Sequence, residues 1–428
     1  MAFFEDLSAG RLDGLVERVA LREGVEAADL LAGLRDGRSV LLSSKLRREH
    51  VRVPAVGQGM TVKVNANIGT SETASDIERE IVKLEAALAA GADAVMDLST
   101  GGDLRAVRER VLRRCDVPLG TVPIYEAAVA SARRGAGVTG MTSDEMIGAV
   151  RRHAEEGVDF QTIHAGLTRE QVAVASSRLA GIVSRGGAFL ACWMETNDAE
   201  NPFFERFDEV LSICRDHDVV LSLGDSLRPG CLADAGDDAQ IRELEILGGL
   251  VVRAREAGVQ VIVEGPGHVP LADIEGQIQL AKRLCHDAPL YILGPLVTDV
   301  APGYDHVTSA IGGAVAASAG ADFLCYVTRA EHVCLPDVDD VHEGVVCARI
   351  AAHVGDVARG LPGARDWDDR MSAARKALDW PKQFDLAIDS VRPSCMRTER
   401  VAEPDAECTM CGPLCAMRLV NERFEVTA

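Results

Sequence analysis

Aromatic side chains are scarce in this chain: Phe, Tyr and Trp together make up 4% of 428 residues. Basic charge is also in deficit, with 45 Lys and Arg against 66 Asp and Glu, a formal net charge of −21. A nucleic-acid-binding protein needs basic stripes that displace counterions, and this balance argues against that class. No apolar run approaches the ~20 residues of a membrane span. The longest small-apolar stretch, AIGGAVAASAGA, stops at Asp322. The opening residues, MAFFEDLSAGRLDG, carry acidic groups where a signal peptide needs a basic patch and an apolar run, so the expected compartment is cytoplasmic. No glycine-rich dinucleotide fingerprint follows an early strand, which counts against an open dinucleotide-binding sheet.

What is present is an alternation. From Met60 to Thr328, short β-type runs exchange with amphipathic segments such as SDIEREIVKLEAALAAG and QIRELEILGGLVVRAREAG. The strand candidates are TVKVNA, DAVMDL, PLGTVP, DFQTIH, AFLACW, VVLSLG, VQVIVEG, LYILGP and DFLCYVT. Lacking strict polar alternation, they read as strands buried on both faces of a parallel sheet. The fold class expected is α/β, a (β/α)8 TIM-type barrel. Residues 1–59 read as a short N-terminal segment with one or two helices, 60–335 as the barrel and 336–392 as a C-terminal helical region. Residues 393–428 read as a linker, running to Glu407, and a cysteine-bearing tail.

The chain's twelve cysteines fit a reducing compartment. Nine of them, such as Cys192, Cys214 and Cys325, stand singly in apolar segments and are read as core packing. The other three, Cys408, Cys411 and Cys415 in ECTMCGPLCAMR, crowd around a Gly-Pro turn. Three thiolates can hold three corners of a four-iron cluster and leave one iron open. Structural zinc and plain reduced thiols are the rival readings; no His lies in the tail to complete a zinc set.

Unusual polar residues fall just after the strands. Asn65 and Asn67 end the first, Asp97 with Ser99 and Thr100 follows the second, and Tyr125 follows the third. His164, then Asp225 with Arg228, then Glu264 and His268, Tyr291 and His332 follow later ones. Strand C-termini converge on one mouth of such a barrel, where active sites are built. Any one of these residues could be a turn or cap residue; their joint placement points to a site. SRGG, from Ser184 to Gly187, suits a phosphate or an ordinary turn. DSLRPG supplies Asp225 and Arg228 as an ion pair or as a clamp on a ribose or phosphate. His268 and His332 are candidate ligands of a divalent metal if they meet, with Glu264 and Glu331 as further ligands or acid/base groups.

Taken together, VNANIGTS, MDLSTGG, GTVPIY, IHAGL, IVSRGG, LGDSLRPG, VEGPGHVP, GPLVTDVAPGYDHVTSAIG, CYVTRAEH and CTMCGPLC resemble the phosphomethylpyrimidine synthase family, a non-classical radical SAM group. The resemblance implies a barrel that binds 5-aminoimidazole ribotide and a tail that carries a [4Fe-4S] cluster at Cys408, Cys411 and Cys415. It implies substrate contacts from Asn67, Met96, Tyr125, His164, Ser184, Arg185, Gly186, Asp225, Ser226, Leu227, Arg228, Glu264 and Tyr291, and zinc or another divalent metal on His268 and His332. S-adenosyl-L-methionine bound to the open iron would yield a 5′-deoxyadenosyl radical. A homodimer and a reducing partner such as flavodoxin or ferredoxin are also implied. Similar 5-hydroxybenzimidazole synthases start from the same ribotide, and a non-catalytic zinc-clipped barrel stands as the alternative of another class. The chain departs from the family pattern in its short N-terminal segment, in the tighter spacing before Cys415, in Cys334 where Gly or Ala is common, and in Ser226 where Gly is usual. The last puts a side chain beside Asp225 and Arg228, and together these departures bear on which product forms.

Overall fold

Runs such as Val220–Leu223 and Val261–Gly265 are mostly apolar, without polar alternation, and almost wholly buried, as strands covered on both faces must be. In the computed structural model, which describes residues 3–401 and 408–424, eight such strands are parallel and close on themselves. They are β3 (Lys63–Ile68), β4 (Ala94–Asp97), β5 (Leu119–Thr121), β6 (Phe160–Ile163), β7 (Val220–Leu223), β8 (Val261–Gly265), β9 (Leu290–Leu293) and β10 (Phe323–Cys325), paired in sequence with β10 returning to β3. The chain divides into two compact units, residues 1–359, which hold this barrel, and residues 360–428.

Side chains of period two fill the barrel's interior. Phe160 of β6 and Phe323 of β10 meet with ring centroids 6.3 Å apart, and Tyr291 of β9 lies 4.5 Å from Phe323. Gly120 of β5 makes room for them; a Cβ there would sit 2.2 Å from Phe160. The interior is plugged by aromatic rings, so the next inward residues toward the strand C-termini form the floor of a cavity.

The opposite end is closed by the N-terminal segment. It contains three helices, Phe3–Ser8, Asp13–Glu23 and Ala27–Arg35, and an antiparallel pair, β1 (Ser39–Leu41) and β2 (Ala55–Gly57), where one or two helices were expected. Residues just before barrel strands receive it: the Asp159 carboxylate accepts from Ser44 N at 2.8 Å and pairs with Arg47, and Gln260 Oε1 accepts from Leu41 N at 2.8 Å. Only the C-terminal mouth is left for chemistry.

One strand candidate is wrong. AFLACW lies inside the helix Arg185–Asn197. Ser184 caps it, its Oγ accepting from Gly187 N at 3.2 Å, and burial of Gly186, Gly187, Leu190, Ala191 and Met194 follows a helical stripe. A short apolar run fits either element, and the cap decided it. The helix Val338–Ala358 packs on Asp305–Ala319 within the barrel unit; a Cβ on Gly355 would lie 2.4 Å from Ala317 Cβ. The boundary expected at residues 335/336 thus falls inside that unit. The second unit contains helices Ala364–Lys376, Trp380–Asp385, Val391–Arg400 and Ala416–Phe424. The expected linker is therefore helical up to Arg400, and residues 402–407 of it lie outside the described residues.

Candidate active site at the C-terminal mouth of the barrel

A cavity of about 520 Å³, mouth included, opens above the aromatic plug. Nine of the expected substrate residues line it: Asn67, Met96, Tyr125, His164, Ser184, Asp225, Arg228, Glu264 and Tyr291. They come from seven consecutive strands, β3 to β9, and from the segments that follow them, so the parallel order of the barrel brings them together.

Their partners are largely each other. Asn65 Nδ2 donates to Asn67 Oδ1 and to Tyr291 Oη, both at 2.8 Å. Glu264 Oε1 accepts from Thr162 Oγ1 at 2.6 Å and Ser222 Oγ at 2.7 Å, groups supplied by β6 and β7. Arg228 Nη1 lies 3.0 Å from Asp225 Oδ1. His164 Nε2 faces Ser184 Oγ at 3.1 Å. Because Ser184 already accepts from Gly187, its hydroxyl proton is free to go to His164 Nε2. Nδ1 then carries the ring proton, and that buried atom has no partner. A ligand acceptor would satisfy it.

Burial sets the charges. It pushes the His164 imidazole down to about 3, with the Arg228 cation adding to the effect, so the ring is neutral. Burial raises the Asp225 carboxyl well above its usual range, against the pull of Arg228, and also raises Glu264, Tyr125 and Tyr291. Burial thus favours the neutral form of each of these groups, beside one fixed cation.

Four expected residues do not line this cavity. Arg185 stands at the rim with its guanidinium 5.2 Å from the Tyr125 ring centre, and it borders two neighbouring grooves. Gly186 supports the His164 ring from behind, where a Cβ would lie 2.3 Å from Cε1. Ser226 and Leu227 are fully buried; their backbone N–H groups donate to the two oxygens of Glu243 at 2.8 and 2.7 Å. The Ser226 side chain packs against Gly187 rather than entering the cavity: a Cβ on Gly187 would lie 2.8 Å from Ser226 Cβ.

Other lining groups escaped the sequence reading. Cys325, read as core packing, lines the cavity and accepts from Asn67 Nδ2 at 3.1 Å. Its register opposite Asn65 across β10 and β3 is the signal that would have placed it. Of the other cysteines read as core, Cys214 is buried but Cys192 is exposed.

The two histidines meet. The His268 and His332 rings lie 5.4 Å apart, centre to centre. His268 Nδ1 is 2.7 Å from Asp299 Oδ1 and His332 Nδ1 is 3.3 Å from Asp305 Oδ1. Carboxylates accepting from both Nδ1–H groups leave both Nε2 atoms unprotonated with a lone pair to offer, the usual support of a metal-binding imidazole. The His268 loop is pinned by His268 N to Pro229 O at 3.0 Å and Val269 N to Leu296 O at 3.0 Å, which ties the turns after β7, β8 and β9 together. His332 adopts φ +61, an uncommon conformation for such a residue. Glu331, its carboxyl raised by burial, and His332 line a groove adjoining the cavity through Asn67.

In the second unit, Cys408, Cys411 and Cys415 share one tight turn. Gly412 N bonds to Cys408 O and Cys415 N to Gly412 O, each at 3.1 Å, with Gly412 at φ +51. The Cys408 thiol is held below its ordinary range by the N–H groups of Cys411 and Met410 and, after these, by the Arg397 charge. Among the described residues no three His, Cys, Asp or Glu side chains converge on one metal-sized point. The donor set is nonetheless three soft sulfurs on one turn with amides aimed at the first, which suits an iron–sulfur cluster.

A sequence profile described as the radical SAM ThiC family matches residues 3–422. A phosphomethylpyrimidine synthase of Desulforudis audaxviator is 57% identical over 409 residues, 95% of this chain and 94% of that one. Its counterpart from Moorella thermoacetica is 55% identical over 425 residues, 99% and 98% of the two chains. The one from Methanopyrus kandleri is 52% identical over 412 residues, 96% of each. Among solved structures, a dihydropteroate synthase of Xanthomonas albilineans aligns with a TM-score of 0.44 at 15% identity, over 76% of this chain and 100% of that one.

Proposed function

This chain belongs to the radical SAM ThiC family, and from that membership we propose that it is a phosphomethylpyrimidine synthase of thiamine biosynthesis. The substrate on this reading is 5-aminoimidazole ribotide and the product 4-amino-5-hydroxymethyl-2-methylpyrimidine phosphate. The observation that carries it is the convergence of nine expected contact residues on one cavity. Three features of the fold support this reading. The N-terminus of the helix Arg185–Asn197, with Ser184 as its cap and Arg185 and Arg228 nearby, suits the phosphate. Neutral His164 offers an unspent buried donor, while the Asn65–Asn67–Tyr291 chain and Glu264 face the heterocycle with groups of fixed orientation.

The family implies S-adenosyl-L-methionine and a [4Fe-4S] cluster, for which Cys408, Cys411 and Cys415 are the ligands on this reading. The bound cluster supplies the electron that opens radical chemistry. The protein's part is to orient the ribotide and exclude water. A homodimer, a flavodoxin or ferredoxin as reductant and a cytoplasmic location are part of the same proposal; no helix among the described residues is long and apolar enough to cross a membrane.

Product analysis tests the proposal. Anaerobically reconstituted protein, given the ribotide, S-adenosyl-L-methionine and a reductant, is expected to form the pyrimidine phosphate by mass spectrometry. 5-Hydroxybenzimidazole would assign the chain to the alternative activity, and no product from a fully loaded cluster would refute both. The four departures together bear on that choice; the side chain of one of them, Ser226, lies behind the cavity wall.

His268 and His332 are proposed to hold zinc or another divalent cation. Asp299→Asn keeps the size of the His268 partner but weakens its pull on Nδ1. A 10- to 100-fold loss of zinc affinity, read by chelator competition, is expected on the scale of such supporting groups, roughly. Unchanged affinity would mean that the two imidazoles are not a metal pair.

A further inference from the structure

The second unit contains a cavity of about 870 Å³ whose wall includes Cys408. Beside that cysteine stand Trp380 and Phe384 and three arginines, Arg375, Arg397 and Arg400. This concentration of cations is unusual in a chain of net charge −21. Arg397 is the constrained one. Its guanidinium carbon lies 3.8 Å from the centre of the Trp380 ring, on the helix Val391–Arg400 that runs toward the cysteine turn. Stacking of this kind holds a planar cation in place better than a flexible ammonium. Trp380 Nε1–H is buried and has no acceptor among the described residues, so the same wall carries an unspent donor.

We propose that Arg397, held by Trp380, is an electrostatic positioning residue for the iron–sulfur cluster, keeping a fixed positive charge beside the first cysteine ligand so that the cluster accepts its electron more readily. The inference rests on the assignment of Cys408, Cys411 and Cys415 as cluster ligands. The physical argument concerns charge. Three thiolates and a cluster core that gains an electron become more negative on reduction, and a nearby cation stabilises the reduced state more than the oxidised one. Net local charge and hydrogen bonds are among the main determinants of cluster potential. Of the three arginines on the wall, Arg397 is the one held in place by a stacked ring, in the same cavity wall that Cys408 lines. The role differs from ligation: Arg397 changes how easily the site is reduced, not whether iron binds.

The test is a redox titration of the loaded protein followed by electron paramagnetic resonance, without ribotide or S-adenosyl-L-methionine. Arg397→Gln is expected to retain its iron and to show a tenfold smaller reduced fraction at fixed potential, which is about 59 mV more negative for one electron. Arg397→Lys should recover most of the shift, and Arg370→Gln, away from this wall, none of it. An unchanged midpoint in fully loaded Arg397→Gln overturns this inference alone. Should that variant take up no cluster, the wild-type midpoint is read at low and high ionic strength. A fall with added salt supports a screened local cation, and a constant midpoint overturns it. A wild-type chain that takes up no cluster overturns the ligand assignment and this inference with it.

Discussion

Cys411→Ala is expected to reduce 5′-deoxyadenosine formation to background and to lower iron content well below the roughly four atoms per chain of a complete cluster. Cys411 is the middle sulfur of the turn, with Cys408 three residues before it and Cys415 four after. Removing it leaves two anchors on a strongly exposed loop: Met410 is 91% and Leu414 79% accessible, so neither shelters a partly held cluster. A neighbouring thiol cannot substitute without unwinding the turn, because Gly412 N and Cys415 N are both committed within it. The readouts are iron per chain, the charge-transfer band near the visible edge and cleavage of S-adenosyl-L-methionine. A variant that cleaves at the wild-type rate would end the radical reading. The barrel should be untouched, since its core is separate from this unit, and an unaltered melting transition of the barrel would show that the loss is chemical.

The second large effect belongs to Gly186→Ala. An added Cβ would stand 2.3 Å from His164 Cε1 and 2.6 Å from Nδ1. No real contact is that short, so either the imidazole turns or the helix Arg185–Asn197 shifts at its start. The ring is held by Ser184 at Nε2, and Ser184 is the cap of that helix. Either adjustment therefore breaks the alignment of the proposed phosphate end with the imidazole. A displacement of about 1 Å in a reacting geometry costs about 100-fold in rate, and overpacking a filled site costs about 1–3 kcal/mol. The expectation is a drop of that size in kcat/KM with ribotide affinity weakened, while iron content stays at the wild-type level. Gly276→Ala is the control: nothing lies within 4 Å of its Cβ position, and neither activity nor stability should fall. Full activity in Gly186→Ala would show that His164 does not depend on this close approach.

Both predictions separate what kinds of information were visible in residues alone. Parallel strands place every C-terminus on one face, so once the alternation of runs was recognised as a barrel, Asn67, Tyr125, His164, Asp225, Glu264 and Tyr291 had to share a mouth. The cysteine triplet needed only its spacing. AFLACW was misread because six apolar residues satisfy either period; what settled it was Ser184 capping a helix and Gly187 packing face to face with Ser226. Cys325 is buried in the core as expected, but its second role, lining the cavity, was missed for a related reason. An apolar neighbourhood in sequence says nothing about which side of a strand a thiol occupies, whereas pairing with Asn65 decides it. Asp299 and Asp305 carried no signal, being two carboxylates among 66 acidic residues until folding put each against an imidazole.

By itself, the order of residues determined the class of fold, the end of the barrel where polar groups gather and the presence of three clustered sulfurs, because periodicity and spacing are local properties of a chain. Tertiary structure decided which atoms face the cavity, that Ser226 lies behind its wall and that two histidines stand 5.4 Å apart. Those outcomes depend on closure of β10 onto β3 and on turns pinned to one another across the mouth. Such contacts join residues far apart in sequence, where no local pattern records them.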